Sequence, residues 1–465
     1  MSTTSPTENS DGVVSVSAKE LLRTPSVVPL LLTSFFTVMV TMMQITALGK
    51  YLYDLSQRDL DLGLLGLAQF APAFLLMTVS GSFADRFDRR RVVAGGLLVE
   101  LLCSAALAWY AVSGNSEVWP IFSLVIVFGT GRAFVNPSLR SMPADIAPDG
   151  GLPRMIALNV TCWQAAMIIG PVLAGFLYVV SPAAPFMAAT VLTAVAAALI
   201  GFARARPDRV THDPALSQKS ALSAPSDEYR PAETLDVLGE ENADTIIHAD
   251  PTVETSTESR WHQTFEGFRV IRKSPALLGV ISLDLFAVLF GGAVALLPAI
   301  AETRLGVGAI GLGWLRAAGG IGAALVTIIL SARPIQRRVG PIMFAAVAVF
   351  GLFTVVLGIT RSFVIAFGCM FFLSAADSIS VFIRSSLVPL VTPSAARGRV
   401  MAVEGVFIGA SNELGAFESG VAGQLLGTGR AVAFGGIATI GVVIAWILMF
   451  PVLRRFDRFP QRPPD

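Results

Sequence analysis

The sequence predicts an all-α integral membrane protein whose twelve transmembrane helices form two pseudo-symmetric bundles of six. Three observations predict it. Of the 465 residues, 54% are hydrophobic and only 14% charged, against roughly a quarter charged in a soluble domain. Apolar runs long enough to cross a bilayer recur along the chain, and the second half repeats features of the first. A run of about 20 residues rises about 30 Å as a helix, and only a helix satisfies the backbone of a lone span within hydrocarbon. Segments of alternating polarity are absent, which argues against a membrane β-barrel.

Taken in order, residues 1–26 are polar and read as a cytoplasmic segment. The first apolar run after Arg23 is too long for a signal-peptide core, so it is expected to stay as the first span. The N-terminal bundle is expected over 27–203, with runs at 27–51, 60–83, 92–112, 119–138, 155–180 and 183–202. A cytoplasmic linker, 204–275, follows. Its part 207–260 is rich in Pro, Ser, Thr, Asp and Glu and cannot bury enough apolar surface to offset the entropy of ordering. It reads as a tether, an acidic docking segment being the alternative. Its end, WHQTFEGFRVIRK over 261–273, mixes aromatic, apolar and basic positions as an interfacial helix does. The C-terminal bundle is expected over 276–453, with runs at 276–300, 310–331, 341–359, 363–388, 400–426 and 431–453, before a cytoplasmic tail, 454–465.

Arginine placement sets the orientation. With both termini cytoplasmic, the inside turns hold Arg86, Arg89, Arg90, Arg91, Arg154, Arg333, Arg337, Arg338, Arg397 and Arg399, while the outside turns keep scattered Lys50, Arg58, Arg304, Arg361 and Arg430. The positive-inside rule favours this topology, in a bacterial inner membrane.

Several function classes lose ground. A formal net charge of +1 gives no reason for a nucleic-acid partner. Cys103, Cys162 and Cys369 lie in apolar runs without CxxC spacing and read as small buried hydrophobes. The three histidines, His212, His248 and His262, fall outside the apolar runs, so no intramembrane metal site, histidine relay or cofactor is expected. No GxxxxGK[ST] motif occurs, so ATP is not the driver. The spans hold no nucleophile beside a base, which argues against an enzyme, and the polar segments are too short to form a sensor domain.

The halves repeat in parallel. GRAFVNPSLRSMPADIAP from Gly131, followed by Asn159, Gly170 and Gly175, superposes at an offset of about 245 on ADSISVFIRSSLVPLVTP from Ala376, followed by Glu404, Gly415 and Gly420. Related halves meeting along an axis normal to the membrane place a binding site between them near the midplane.

Between the second and third runs stands GSFADRFDRRRV. With the six-plus-six layout it resembles the signature loop of the major facilitator superfamily, roughly G-x-L-a-D-R-x-G-R-R/K-x-x. Gly81, Ala84, Asp85, Arg86, Arg89 and Arg90 match, while Phe83 replaces Leu and Asp88 the second Gly. That acidic residue, EGFRVIRKSPAL and GLGWLRAAGGIGAAL resemble the enterobactin-exporter branch, also called transmembrane secretion effectors. The resemblance implies the major facilitator fold and a small-molecule transporter in which this loop governs the outward-open state. Physically, Gly81 permits close helix approach, and Asp85 is expected against a helix N-terminus, that of the eleventh span near 398–401. Topology alone also explains the arginine cluster.

In the fifth span, IIGPVLAG, with Gly170, Pro171 and Gly175, resembles the superfamily's antiporter motif. Ala157, Ala166 and Ala174 stand where that motif has Gly, and a plain proline kink is the alternative.

Charges inside hydrocarbon cost about 3 kcal/mol on insertion scales and default to functional or paired roles. The set is Glu100, Arg132, Asp284, Arg316, Asp377, Glu404, Glu413 and Glu418, with Arg140 and Arg384 nearer the cytoplasmic ends. A proton-coupled exporter needs a carboxylate that is neutral in one state and charged in the other. Asp284, Asp377 and Glu413 are the candidates; Glu404 and Glu418, nearer their helix ends, read as solvated. Arg132 and Asp377 occupy equivalent repeat positions, which suggests a pair across the pseudo-twofold or a static neutralising bridge. Arg316 either neutralises Asp284 or receives an anionic substrate. Phe70, Trp163 and Trp314 are candidate cavity aromatics.

The expected activity is proton-antiport export of a siderophore, drug-like amphiphile or metabolite, by a monomer in the bilayer. Import or lipid flipping by the same fold is the alternative.

Overall fold

The computed structural model describes residues 18–148, 150–203 and 267–459. Long helices follow one another through both halves. The first half holds α1 (Val27–Ser56), α2 (Asp59–Arg86), α3 (Arg89–Val112), α4 (Trp119–Ile146), α5 (Leu152–Val180) and α6 (Ala184–Ile200). The second holds α7 (Pro275–Phe290), α8 (Gly308–Ala332), α9 (Val339–Ile359), α10 (Phe363–Val391), α11 (Arg397–Leu426) and α12 (Thr428–Met449). Among the described residues, ten spans are long and apolar enough to cross a membrane. The two remaining long helices differ in instructive ways. α6 has only 17 residues, and α11, at 30, carries Arg397, Arg399, Glu404, Glu413 and Glu418 and is too polar to pass on hydropathy. The chain is a multi-pass membrane protein.

Local chemistry fixes the helix ends. Asp88 caps α3 by accepting from the Arg90 N–H at 2.9 Å. Ser274 does the same for α7 through Leu277, with Pro275 preset for the first turn. α1 stops where Gln57 turns left-handed at φ 52°. α7 is discontinuous. After Phe290 it passes through a 3₁₀ turn, Gly292–Leu296, a single helical turn, Leu297–Ala299, and a wide turn, Ile300–Arg304.

The packing carries the twofold repeat. α1 packs on α5 and α6, α4 on α2 and α3, and α3 on α6. In the second half α7 packs on α11 and α12, α10 on α8 and α9, and α9 on α12, each the counterpart of the first. The two most extensive contacts between the bundles, α5 with α8 and α2 with α11, are again equivalent, and α1 and α2 also touch the broken stretch of α7.

The two ends of the molecule differ. At the end carrying the arginine-rich turns, the apolar clusters stay within one bundle, around Leu97 and Met155 or around Val339 and Val400. At the opposite end they cross, Tyr53 and Leu62 joining Leu296, Leu297 and Leu315, and Ala309 joining Leu52 and Phe186. The bundles therefore meet at the arginine-poor end and part toward the other.

Candidate functional site

Where the bundles part, a cavity of about 480 Å³ opens between them. The first bundle supplies Gly49, Gly66, Gln69 and Phe70. The second supplies more, including Asp284, Arg316, Asp377, Arg384, Asn412 and Glu413 and the broken stretch of α7 at Gly291, Gly292, Val294 and Ala295. Irregular backbone is tolerated at membrane depth where it lines such a space. A side chamber of about 220 Å³ shares Gln69, Phe70 and Glu413 and runs to Arg132 and Asn136 on α4. Arg132, Asp284, Arg316, Asp377 and Glu413, which the sequence singles out, thus line one connected space.

Their partners differ from the sequence expectations. Asp284 pairs with Arg384 of α10, not with Arg316, and Arg384 Nε also reaches Glu404 of α11 at 3.3 Å. All three side chains are buried. Glu404 is therefore a bridged group rather than a solvated one. Arg384 lies nearer its helix end than Asp377 does, yet it stands seven residues from that acid, two helical turns along the same face. Arg132 faces Glu100 within its own bundle and Glu413 on α11; no ion pair joins it to Asp377 among the described residues. Glu100 is fully buried, and among the described residues neither of its carboxylate oxygens has a hydrogen-bond partner. Of the aromatics, Phe70 lines both spaces, while Trp163 and Trp314 are exposed and line neither.

The repeated glycines perform matching tasks. A Cβ at Gly170 of α5 would lie 2.7 Å from the Met39 carbonyl of α1, and one at Gly415 of α11 would lie 2.7 Å from the Val288 carbonyl of α7. One turn on, a Cβ at Gly175 would lie 2.6 Å from the Ala309 carbonyl of α8, and one at Gly420 would lie 2.8 Å from Gly63 Cα of α2. In each half the first glycine seats a helix in its own bundle and the second seats it against the other bundle. Pro171 joins this seam, since a Cβ at Gly313 would lie 2.5 Å from its carbonyl. Glu413 lies over Gly66, where a Cβ would fall 2.7 Å from its Oε2.

Polar groups close the arginine-poor end. Lys50 of α1 pairs with Asp54 and, across the bundles, with Glu302 at 3.1 Å. The Tyr178 hydroxyl donates to Asp54 at 2.7 Å. Thr428 donates to Asp59 at 2.7 Å, a second bridge between halves. In sequence Lys50 is one scattered outside charge; only the fold brings Glu302 to it.

At the arginine-rich end, Arg89 pairs with Asp145 at 2.7 Å and Arg90 donates to the Gly201 carbonyl at 2.5 Å, at the C-terminus of α6, where the helix dipole favours a cation. Both tie the 87–88 turn to its own bundle. The side chains of Gly81, Asp85 and Arg86 lie outside the described residues, as do the three histidines and most of 204–275. At the N-terminus expected to meet Asp85, no atom of the described residues lies within 4 Å of a Cβ at Gly398. No cluster of His, Cys, Asp and Glu able to hold a metal occurs among the described residues.

A family model described as Major Facilitator Superfamily matches residues 30–416. Macrolide efflux protein A of Enterococcus faecalis is 27% identical over 138 residues, 30% of this chain and 41% of that protein. Quinolone resistance protein NorA of Staphylococcus aureus is 28% identical over 142 residues, 30% of this chain and 35% of that protein. The matches thus span well under half of these relatives' length. Among solved structures, the nucleoside transporter NupG aligns over 91% of this chain and 98% of its own at a TM-score of 0.60 and 15% identity. A POT family transporter in complex with 5-aminolevulinic acid aligns over 92% and 96% at 0.66 and 11%. A bacterial homologue of the lysosomal transporter Spinster, in an inward-facing and unoccupied conformation, aligns over 92% and 95% at 0.58 and 14%. At these identities the structures speak for the fold alone.

Proposed function

From the premise that the chain belongs to the Major Facilitator Superfamily, a family of transporters rather than catalysts, we propose that it exports a small amphiphile by alternating access driven by proton entry. One observation carries this reading: a charged cavity between two equivalent bundles, sealed at one end by glycine contacts and the Lys50–Glu302 pair. The arginine-rich turns mark the open end as cytoplasmic, so the chain stands inward-facing in an inner membrane with both termini inside, ready to take cargo from the cytoplasm. Asp377 and Glu413, which line the same cavity, are the groups we assign to the proton, with Arg132 as the cation facing Glu413. Gly81, Asp85, Arg86, Arg89 and Arg90 are assigned to closing the open end.

Export is favoured over import or lipid flipping by the two efflux relatives and by the Gly170–Pro171–Gly175 seam on α5. The enterobactin-exporter branch is the finer assignment we draw from the sequence motifs. The test is uptake into everted vesicles energised by an inside-acid gradient, with a macrolide, a quinolone and a siderophore as cargo. Accumulation above empty-vector vesicles that collapses with a protonophore is expected. Equal uptake with and without the protein for all three, or accumulation in right-side-out vesicles instead, would overturn it.

A further inference from the structure

The cavity cations are not alike. Arg384 is spent on Asp284 and Glu404, and Arg132 faces Glu100 and Glu413. Arg316 of α8 has no ion pair among the described residues, and its buried Nε has no hydrogen-bond partner. Its head reaches across the cavity toward the other bundle, with Nη2 3.8 Å from where a Cβ would stand on Gly49 of α1. A guanidinium in a low-dielectric space needs an anion or several acceptors, and the acid that could have served it, Asp284, is taken. The surrounding wall is apolar, with Ile45, Leu62, Leu65, Leu373 and Phe350 in the same cavity.

We propose that Arg316 is the subsite for an acidic headgroup, so that the cargo is an amphiphile with a carboxylate at one end and an apolar body at the other. This rests on the transport reading above. The planar fork of arginine matches both oxygens of a carboxylate, and the apolar wall takes the rest. Gly49 lets the Arg316 head approach α1, since a Cβ there would lie 3.8 Å from Nη2 and 3.0 Å from Pro298 Cγ. Asp377 lines the same cavity, also without an ion pair among the described residues, and is the acid assigned above to the proton.

The test uses the purified full-length protein and three probes with one body: naphthoate, naphthamide and naphthylmethylamine. Binding is read as thermal stabilisation titrated to saturation. Naphthoate is expected to bind about tenfold or more tighter than the amide, the worth of a charge-assisted bond, and the amine least well. Arg316→Gln is expected to remove the difference between acid and amide, and Arg316→Lys, which keeps the charge without the fork, to retain only part of it. If Arg316→Gln does not fold, the wild-type comparison of acid with amide and the Arg316→Lys variant still decide. Equal binding of acid and amide, or an unchanged preference in either variant, overturns the subsite. If the acid shows no preference while vesicle uptake succeeds, the subsite falls and the exporter stands; if the acid binds as expected while no cargo accumulates, the exporter reading falls instead.

Discussion

Lys50 and Glu302 meet at 3.1 Å across the two bundles, and with Asp54 and Tyr178 they form the polar clasp of the arginine-poor end. Lys50 is nearly buried and Glu302 more than a third exposed, so the pair is screened and worth about 1 kcal/mol. Glu302→Gln is expected to shift the balance of states about fivefold toward opening at that end. With the three native cysteines replaced and a cysteine placed at Ile45, labelling by an impermeant maleimide from that side should rise accordingly. Unchanged labelling would mean the clasp does not hold the state.

The glycine seams lead to a sharper expectation. Gly175→Val and Gly420→Val press a side chain into backbone that lies within 2.9 Å of a mere Cβ, an overpacking cost of about 1–3 kcal/mol against the sealed state. Both variants should reach the membrane yet export at about a tenth of the wild-type rate or less. Gly95→Val is the control, because no atom of the described residues lies within 4 Å of a Cβ there. Full activity in either seam variant contradicts the assignment.

Breaking the Asp284–Arg384–Glu404 group should show in stability before transport. Arg384→Gln strands two buried carboxylates and is expected to cost about 3–5 kcal/mol, read as a fall in the melting temperature in detergent. Adding Asp284→Asn and Glu404→Gln to that variant removes the stranded charges and should recover most of the loss. A triple variant no more stable than the single one would show that shape, not charge, sets the cost.

Asp377→Asn and Glu413→Gln address coupling. An amide imitates the protonated acid permanently, so the exported amount should lose its dependence on the pH gradient while cargo binding persists. The readout is uptake in everted vesicles with and without an imposed gradient. Gradient-dependent uptake that survives in both single variants and in their combination excludes these two acids as carriers.

Hydropathy made most of the fold legible because each span is a separate apolar run, but it reads the thickness of hydrocarbon rather than the reach of hydrogen bonding. Hence α1 continues from the expected 51 to Ser56, and α4 from 138 to Ile146, past the apolar runs. The break in α7 was hidden in one apolar run, since Gly291 and Gly292 weaken a helix without changing its hydropathy. Charges within spans pointed to the cavity by cost alone. Their pairing did not follow, because Asp284, Arg384 and Glu404 sit on three helices about 100 residues apart in part, and no periodicity relates them. The repeat placed Arg132 and Asp377 in equivalent positions, yet equivalence under a twofold puts residues on opposite sides of the axis rather than in contact.

The seams through Gly175 and Gly420 are backbone laid on backbone, and van der Waals attraction of that kind is lost within about an ångström of separation. Such a joint is either shut or gone. On the proposed proton-driven cycle, a form with both mouths ajar would do the most harm, because it would short-circuit the membrane. Paired, brittle contacts at one mouth leave little room for that halfway form, and so guard the gradient as well as the cargo.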